Sequence, residues 1–397
     1  MKREDVVIVQ AVRTAIGRAG GSLKGVNSGH LASAVIESAI MKGGIESHNV
    51  DEVIMGEVRP MTESSNVARV AALRAGVQEE ATAFTVNRLC ASGMQAIGSA
   101  VQQITFGQAE VIIAGGTENL SQAPIYLRNS RYGEGNPHLV DSNLEAGQQP
   151  QEMYGKDLGM GMTAENVAEQ YKVSREDQDA FALESQRRAK DAIESGRFKD
   201  EIIPIEVKER KRSFTFDVDE HPRETTLEKL ASLRPAFKKK DGSVTAGNAC
   251  GRNDGAAAVM LMTRGKAQAL GLKPLATVVD WATAGVSPNV MGIGPVPAVQ
   301  KLLARTKLQK EDIGVWELNE AFASQALAVI RELGIREEDV NRNGGGIALG
   351  HPLGATGARI TISLLHEMIR SDETYGVSTL CVGGGQGMAM LLKKEVN

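Results

Sequence analysis

The chain has little cysteine, little aromatic content and no long apolar run, and each shortage excludes something. Only Cys90, Cys250 and Cys381 occur in 397 residues. So sparse and odd a set builds no disulfide framework and points to a reducing, cytoplasmic compartment. The three are far apart, with no C-x-x-C or H-x-x-x-H pair, which argues against a metal site. No stretch reaches the roughly 18 apolar residues of a membrane-spanning helix, so no membrane partner is expected. Net charge is -4, from 45 basic and 49 acidic side chains. Nothing global therefore draws the chain to nucleic acid. The basic runs KERKR (208–212) and KKK (238–240) are short and read as solvated loop, although such a patch can meet the phosphates of a nucleotide-like ligand. The opening MKREDVVIVQAVRTAIG has charges before a short apolar run broken by Arg13 and lacks a cleavage signature, so it does not read as a signal peptide. The closing KKEVN is not a peroxisomal address.

What is abundant is glycine, at 43 residues against 4% aromatics. That balance suits tight turns and close backbone approach in an α/β protein. Short apolar strands alternate with helical patterns over the first 120 residues: DVVIVQAV (5–12), LASAVIESAIMKGG (31–44), VDEVIMGEV (50–58), NVARVAALRAG (66–76), ATAFTVNR (81–88), MQAIGSAVQQITFG (94–107) and AEVIIAGG (109–116). This order predicts a mostly parallel sheet covered by helices. Residues 119–160 lack a period and read as a long loop excursion, of the sort that is usually functional. A helix is predicted over 174–196, with Ser174 as cap, acids in the first turn and Gly196 as stop. From about 270 the first pattern returns. Val86-Asn87-Arg88 recurs as Val340-Asn341-Arg342, and VIIAGGTE (111–118) is echoed by TLCVGGGQG (379–387). The echoes indicate an internal duplication, two similar α/β halves with a long insert.

Cys90, in NRLCASGMQAIG (87–98), follows a strand and precedes a helix whose apolar face is Met94, Ile97, Val101 and Ile104. An isolated cysteine is usually a small buried hydrophobe. At a helix start, however, free N–H groups and the positive helix end favour the thiolate and can hold an oxyanion. GGGIALGHPLGATGAR (344–359) contains six glycines and His351, placed in a stiff turn where its imidazole could take a proton from a thiol. Cys381 ends an apolar strand before Gly383, Gly384 and Gly385, at the carboxyl end where α/β sheets hold ligands. Pseudo-symmetry between the halves would let Cys90, His351 and Cys381 converge. No G-x-G-x-x-G follows the first strand, which argues against a dinucleotide fold.

NRLCASG (87–93), NEAFA (319–323), GHPLGATGAR (350–359) and CVGGGQG (381–387), with TAGNACGRNDGAA (245–257) and MGIGP (291–295), resemble the thiolases over essentially the whole chain. The resemblance implies the thiolase fold: two halves with mixed, mostly parallel five-stranded sheets layered with helices as αβαβα, plus an inserted loop domain. It sets residues 1–119 and 248–270 as one half, 120–247 as the insert and 271–397 as the other. Cys90 looks like the acylated nucleophile and His351 like its base and an oxyanion donor. Asn319 looks like the residue that orients a water in that hole, Cys381 like the acid/base that moves the α-proton, and the N–H groups of Cys90 and Gly383 resemble a second hole. Arg223, Phe237, Ala246 and Cys250 match positions along CoA. Met160 and Met291 match positions near the acyl group, where packing alone is the competing account. No permanently bound cofactor is implied; coenzyme A and acyl-CoA are substrates. The expected partners are those substrates and a second copy, as homodimer or homotetramer.

Several residues depart from the family pattern. Cys250 stands where serine is usual, Arg252 for an apolar residue, Arg342 and Gly346 for Val and Ala, and Gly159 for the His of short-chain biosynthetic members. Gly159 favours degradative thiolysis of 3-ketoacyl-CoA, as in fatty acid β-oxidation, over condensation of two acetyl-CoA into acetoacetyl-CoA. A decarboxylating condensing enzyme of the same superfamily commonly has a second His in place of Cys381. A non-catalytic carrier could lose Cys90 or His351, and both are present.

Overall fold

The computed structural model describes residues 4–133, 135–145, 147–210 and 212–396. Residues 1–3 and 397, on which the reading of the two ends partly rests, and Lys211 of the KERKR run lie outside them. The first half supplies strands β1 (Val6–Thr14), β2 (Glu52–Gly56), β3 (Thr82–Val86), β4 (Val111–Asn119) and β5 (Asn253–Thr263). The second supplies β6 (Ala276–Gly285), β7 (Val315–Leu318), β8 (Tyr375–Val382) and β9 (Gln386–Lys394). β2 lies parallel to both β3 and β4, while β5 runs antiparallel between β4 and β1. All of the first half's strands but β5 therefore point the same way. The second half repeats this, with β7 parallel to β8 and β9 antiparallel between β8 and β6. Its fifth strand shrinks to a single parallel bridge between Trp316 and Val340. Val340 thus occupies the place of Val86 at the end of β3, which is where the repeated Val-Asn-Arg triplet puts it.

The two sheets are continuous. β1 pairs with β6 in antiparallel register, Val7 with Thr277 and Ile8 with Ala276, giving the order β7-β8-β9-β6-β1-β5-β4-β2-β3. The two-residue strands Gly17–Arg18 and Ile202–Ile203 attach beside it. Pairing the first strands satisfies ladder groups that two separate sheets would leave at an edge.

Helices α1 (Ser28–Gly43), α2 (Val67–Arg74), α3 (Ser92–Thr105), α4 (Met160–Gln170), α5 (Arg175–Glu194), α6 (Pro295–Thr306), α7 (Ala323–Leu333) and α8 (Leu353–Ser371) form the other layers. α1 and α2 cover the outer face of the first half, and α6 the outer face of the second. α3 and α8 pack on each other as the central layer, with Met94, Ile97, Ala358 and Ile362 in one core. Glycines permit the approach: a Cβ on Gly93 would lie 2.8 Å from the Ala358 nitrogen, and one on Gly357 2.5 Å from that of Met94. The helices that position Cys90 and His351 are thereby fixed to each other.

Among the described residues, 120–252 give the main sheet only Ile202–Ile203. The aperiodic 119–160 is not all loop: Ile125–Arg128 and His138–Asp141 pair as a hairpin, whose exposed side chains hid the alternation. α5 begins as predicted, with Ser174 Oγ accepting from the Asp177 N–H at 3.0 Å. The insert is clamped to β1 by fully buried Arg13, whose guanidinium donates to Glu201 at 2.7 Å and to both oxygens of Asp219 at 2.8 and 2.9 Å.

Candidate active site

Cys90 lies in the turn between β3 and α3. Leu89 takes φ +46°, a left-handed value rare for leucine. Ser92 holds the turn: its Oγ accepts from Arg88 N–H at 2.9 Å and donates to Leu89 C=O at 2.6 Å. Cys90 is half-buried, and the N–H groups of Gly383 and of Cys90 itself donate toward its sulfur. Burial nonetheless pushes the thiol up to about 11, with Glu118 adding to the rise and Arg59 opposing it. This corrects the expectation that the helix start would favour the thiolate: desolvation outweighs the aligned donors. Ionising Cys90 therefore calls for a base.

His351 is buried beside that turn. Its N–H donates to Asn253 Oδ1 at 2.9 Å; Gly350 before it takes φ +103°, and a side chain there would also strike Asn253. Nδ1 lies 2.7 Å from Thr356 Oγ1, and that hydroxyl donates to Pro352 C=O at 2.8 Å. With its one hydrogen so used, Thr356 accepts from His351, which assigns the proton to Nδ1 and leaves Nε2 bare. Asn319 Nδ2 stands 3.5 Å from Nε2. Burial, and secondarily the Arg359 charge, hold the imidazole down at about 3, so it is neutral. Asn319 Oδ1 is buried without a partner among the described residues, and Gly346 leaves room there, where a Cβ would come within 2.9 Å.

Cys381, next to last in β8, is buried in an apolar cluster with Ala164, Val244, Ala249, Met291, Ala321 and Phe322, and Met160 packs against it. Burial raises its thiol well above the usual range, and charge on Cys90 or Cys250 raises it further. Cys250, pushed up to about 12 by burial and by Cys90, donates its N–H to Ala321 C=O at 3.0 Å. The strand-like segment from Ala249, bridged to Phe322, to Arg252, bridged to His351, thus runs along the site wall. Phe237 meets Phe322 edge-on with centroids 6.3 Å apart. Arg223 donates to Ala246 C=O at 2.6 Å. The sequence-predicted residues therefore fall into two groups. In one, Cys90 interacts with Gly383, Cys250 and Cys381; Met160, Met291 and Phe322 (which Phe237 meets) pack with Cys381; and His351 with Asn319 joins through the bridge to Arg252. In the other, Arg223 contacts Ala246 on the insert side.

Sequence reasoning missed Thr356, Phe322 and Gln148. Phe322 lay in plain view in NEAFA, and Thr356 five residues after His351. Gln148 closes on the glycine turn, since a Cβ on Gly383 would meet its side chain; it sits in the segment too irregular to read.

The family model described as Thiolase, N-terminal domain matches residues 6–265, and that described as Thiolase, C-terminal domain matches 272–394. The chain belongs to the thiolase family. Among relatives, this thiolase is 51% identical to an acetyl-CoA acetyltransferase of Pseudomonas aeruginosa, over 99% of this chain and 100% of that protein. A crystal structure of the Bacillus anthracis acetyl-CoA acetyltransferase superposes with TM-score 0.96 at 49% identity, covering 99% of each chain. That of human mitochondrial 3-ketoacyl-CoA thiolase gives 0.94 at 44%, again over 99% of each. The thiolase is thus an acyltransferase. Among its described residues no helix is long and apolar enough to cross a membrane.

Proposed function

We propose that this thiolase cleaves 3-ketoacyl-CoA with CoA to give acyl-CoA and acetyl-CoA, through an acyl group on Cys90. The observation that carries the reading is the convergence of a thiol that needs a base, a neutral imidazole with a bare nitrogen, and a second buried thiol. His351 Nε2 takes the Cys90 proton as the thiolate adds to the C3 carbonyl. The C2–C3 bond breaks, the Cys90 thioester forms, and Cys381 delivers a proton to C2 of the departing acetyl-CoA enolate. The thiol of a second CoA then gives its proton to the Cys381 thiolate and attacks the thioester, and Cys90 leaves as a thiolate that recovers its proton from His351. Asn319 with a water, and the N–H groups of Cys90 and Gly383, stabilise the oxyanions. Arg223, Phe237, Ala246 and Cys250 line CoA, and Met160 and Met291 the acyl group. CoA and acyl-CoA enter as substrates, with no resident cofactor or metal.

Gly159 supports the degradative direction, since it stands where short-chain biosynthetic members usually have His and the space beside it is open; the runner-up is condensation of two acetyl-CoA. We place the enzyme in the cytoplasm, in fatty acid metabolism, as a homodimer or homotetramer. The edge position of β3 and the exposed Ile125, Leu127 and Leu139 of the hairpin support self-association. The proposed organisation is a first half of 1–119 and 248–270, an insert of 120–247 and a second half of 271–397. Comparing kcat/KM for thiolysis of acetoacetyl-CoA with longer 3-ketoacyl-CoA tests the substrate range. Activity confined to the four-carbon substrate would sink the degradative reading. Cys381→Ala should still acetylate Cys90 from acetyl-CoA yet lose α-proton exchange; retained exchange would contradict its role.

A further inference from the structure

Resting on Cys90 and His351 as nucleophile and base, we propose that Glu118 is a positioning residue that fixes the His351 loop relative to the Cys90 turn. Glu118 is the penultimate residue of β4 and fully buried. Its Oε2 accepts from the N–H of Gly354 at 2.8 Å and of Val58 at 3.1 Å, and its Oε1 from that of Arg59 at 3.0 Å. Gly354 is in the first turn of α8, three residues beyond His351. Pro352, at the cap position of that helix, makes no side-chain cap bond. A first-half carboxylate therefore caps the second-half helix that begins two residues after the catalytic histidine, and a negative group at a helix start is stabilising.

The fit leaves little slack. A Cβ on Gly354 would lie 2.5 Å from Thr117 C=O and 2.9 Å from Glu57 Cα, and one on Gly116 1.9 Å from Gly354 C=O. The carboxylate thus ties together the ends of β2 and β4 and the start of α8, and this positioning outweighs its charge, which opposes ionisation of Cys90. Glutamine could offer only one oxygen and would turn an NH2 group toward backbone N–H donors.

The charged and titratable groups that interact with this carboxylate are Arg59 and Glu57 from the turn after β2 and Cys90 before α3; His351, before α8, is neutral. Burial raises Glu118 to about 7 and Glu57 to about 8, and the Glu118 charge contributes to the latter, so Glu118 ionises first. Ser28 donates to Glu57 Oε1 at 2.5 Å. Above pH 7 Glu118 is an ionised acceptor for all three N–H groups. As pH falls through 7 it gains a proton, and the clamp weakens.

The test is the rate of Cys90 acetylation by acetyl-CoA in the full chain, followed by rapid quench and mass spectrometry between pH 6 and 9. The wild type should show a rate that drops on the acid side of about 7. Glu118→Gln should acetylate about 10- to 100-fold more slowly, as expected for losing bonds to a charged acceptor, with unchanged KM and without that acid limb. Glu57→Gln, a buried carboxylate beside it, should keep the limb. Wild-type rates in Glu118→Gln, or a slowed variant with the same limb, would overturn the proposal. If Glu118→Gln does not fold, the wild-type profile decides: a flat rate from pH 6 to 8 overturns it. No acetyl group on wild-type Cys90 overturns the nucleophile itself, a result distinct from failure of the variant alone.

Discussion

Replacing Thr356 by valine keeps the shape of the side chain and removes one hydroxyl. In the native site that hydroxyl accepts from His351 Nδ1 at 2.7 Å and donates to Pro352 C=O. Valine leaves the Nδ1–H unpaired in a buried setting, at a cost of about 1–3 kcal/mol. The imidazole can escape that cost by moving its proton to Nε2, which then cannot accept from Cys90. Restoring the reactive tautomer draws on the same 1–3 kcal/mol, so acylation should slow by about 5- to 150-fold. KM for acyl-CoA should hold, because Thr356 lies behind the ring rather than along the substrate. The assay is stopped-flow thiolysis with acetoacetyl-CoA, alongside mass spectrometry of Cys90 and a thermal melt. A Thr356→Val enzyme with kcat within twofold of wild type and a normal fold would refute the assignment of the bare nitrogen.

Two further outcomes concern stability. Asp219→Asn removes one carboxylate from fully buried Arg13 and weakens the clamp between insert and β1; a loss of about 3–5 kcal/mol is expected in urea unfolding, and one below about 1 kcal/mol would contradict the clamp. The second outcome is a rise in stability as pH is lowered from 9 to about 6.5. Burial raises Glu57 and Glu317 to about 8 and Glu118 to about 7, so the folded state takes up protons that the unfolded state does not. The raised thiols of Cys90 and Cys250 act in the same direction above their ordinary range. A urea midpoint that falls over that pH interval would reverse the sign and the argument.

The halves were legible because apolar runs with helical spacing lie between strands, and because Val86-Asn87-Arg88 and its echo mark equivalent strand ends. The junction of the sheets was not: pairing between β1 and β6, strands distant in sequence, leaves no local pattern. At the site, Cys90, His351 and Cys381 stood out as rare residue types among glycines. The Cys90 titration was misread because sequence displays the helix start but not the apolar wall that desolvates the sulfur. Thr356 and Glu118 went unseen for a related reason. Their partners are a ring nitrogen and backbone N–H groups, and nothing in a sequence marks which backbone groups lack a bond.

The seam between β1 and β6 has a consequence for origin. Two equivalent strands meeting antiparallel is the contact that a two-fold dimer of a half-length unit would make with its own copy. The chain reads as such a dimer joined into one polypeptide. Once joined, its halves were free to diverge: one kept a cysteine at a helix start, and the other a histidine before a helix and a cysteine at a strand end. A symmetric pair would hold each group twice. Covalent linkage is what lets a single asymmetric centre distribute the proposed nucleophile, base and proton carrier across a symmetric frame.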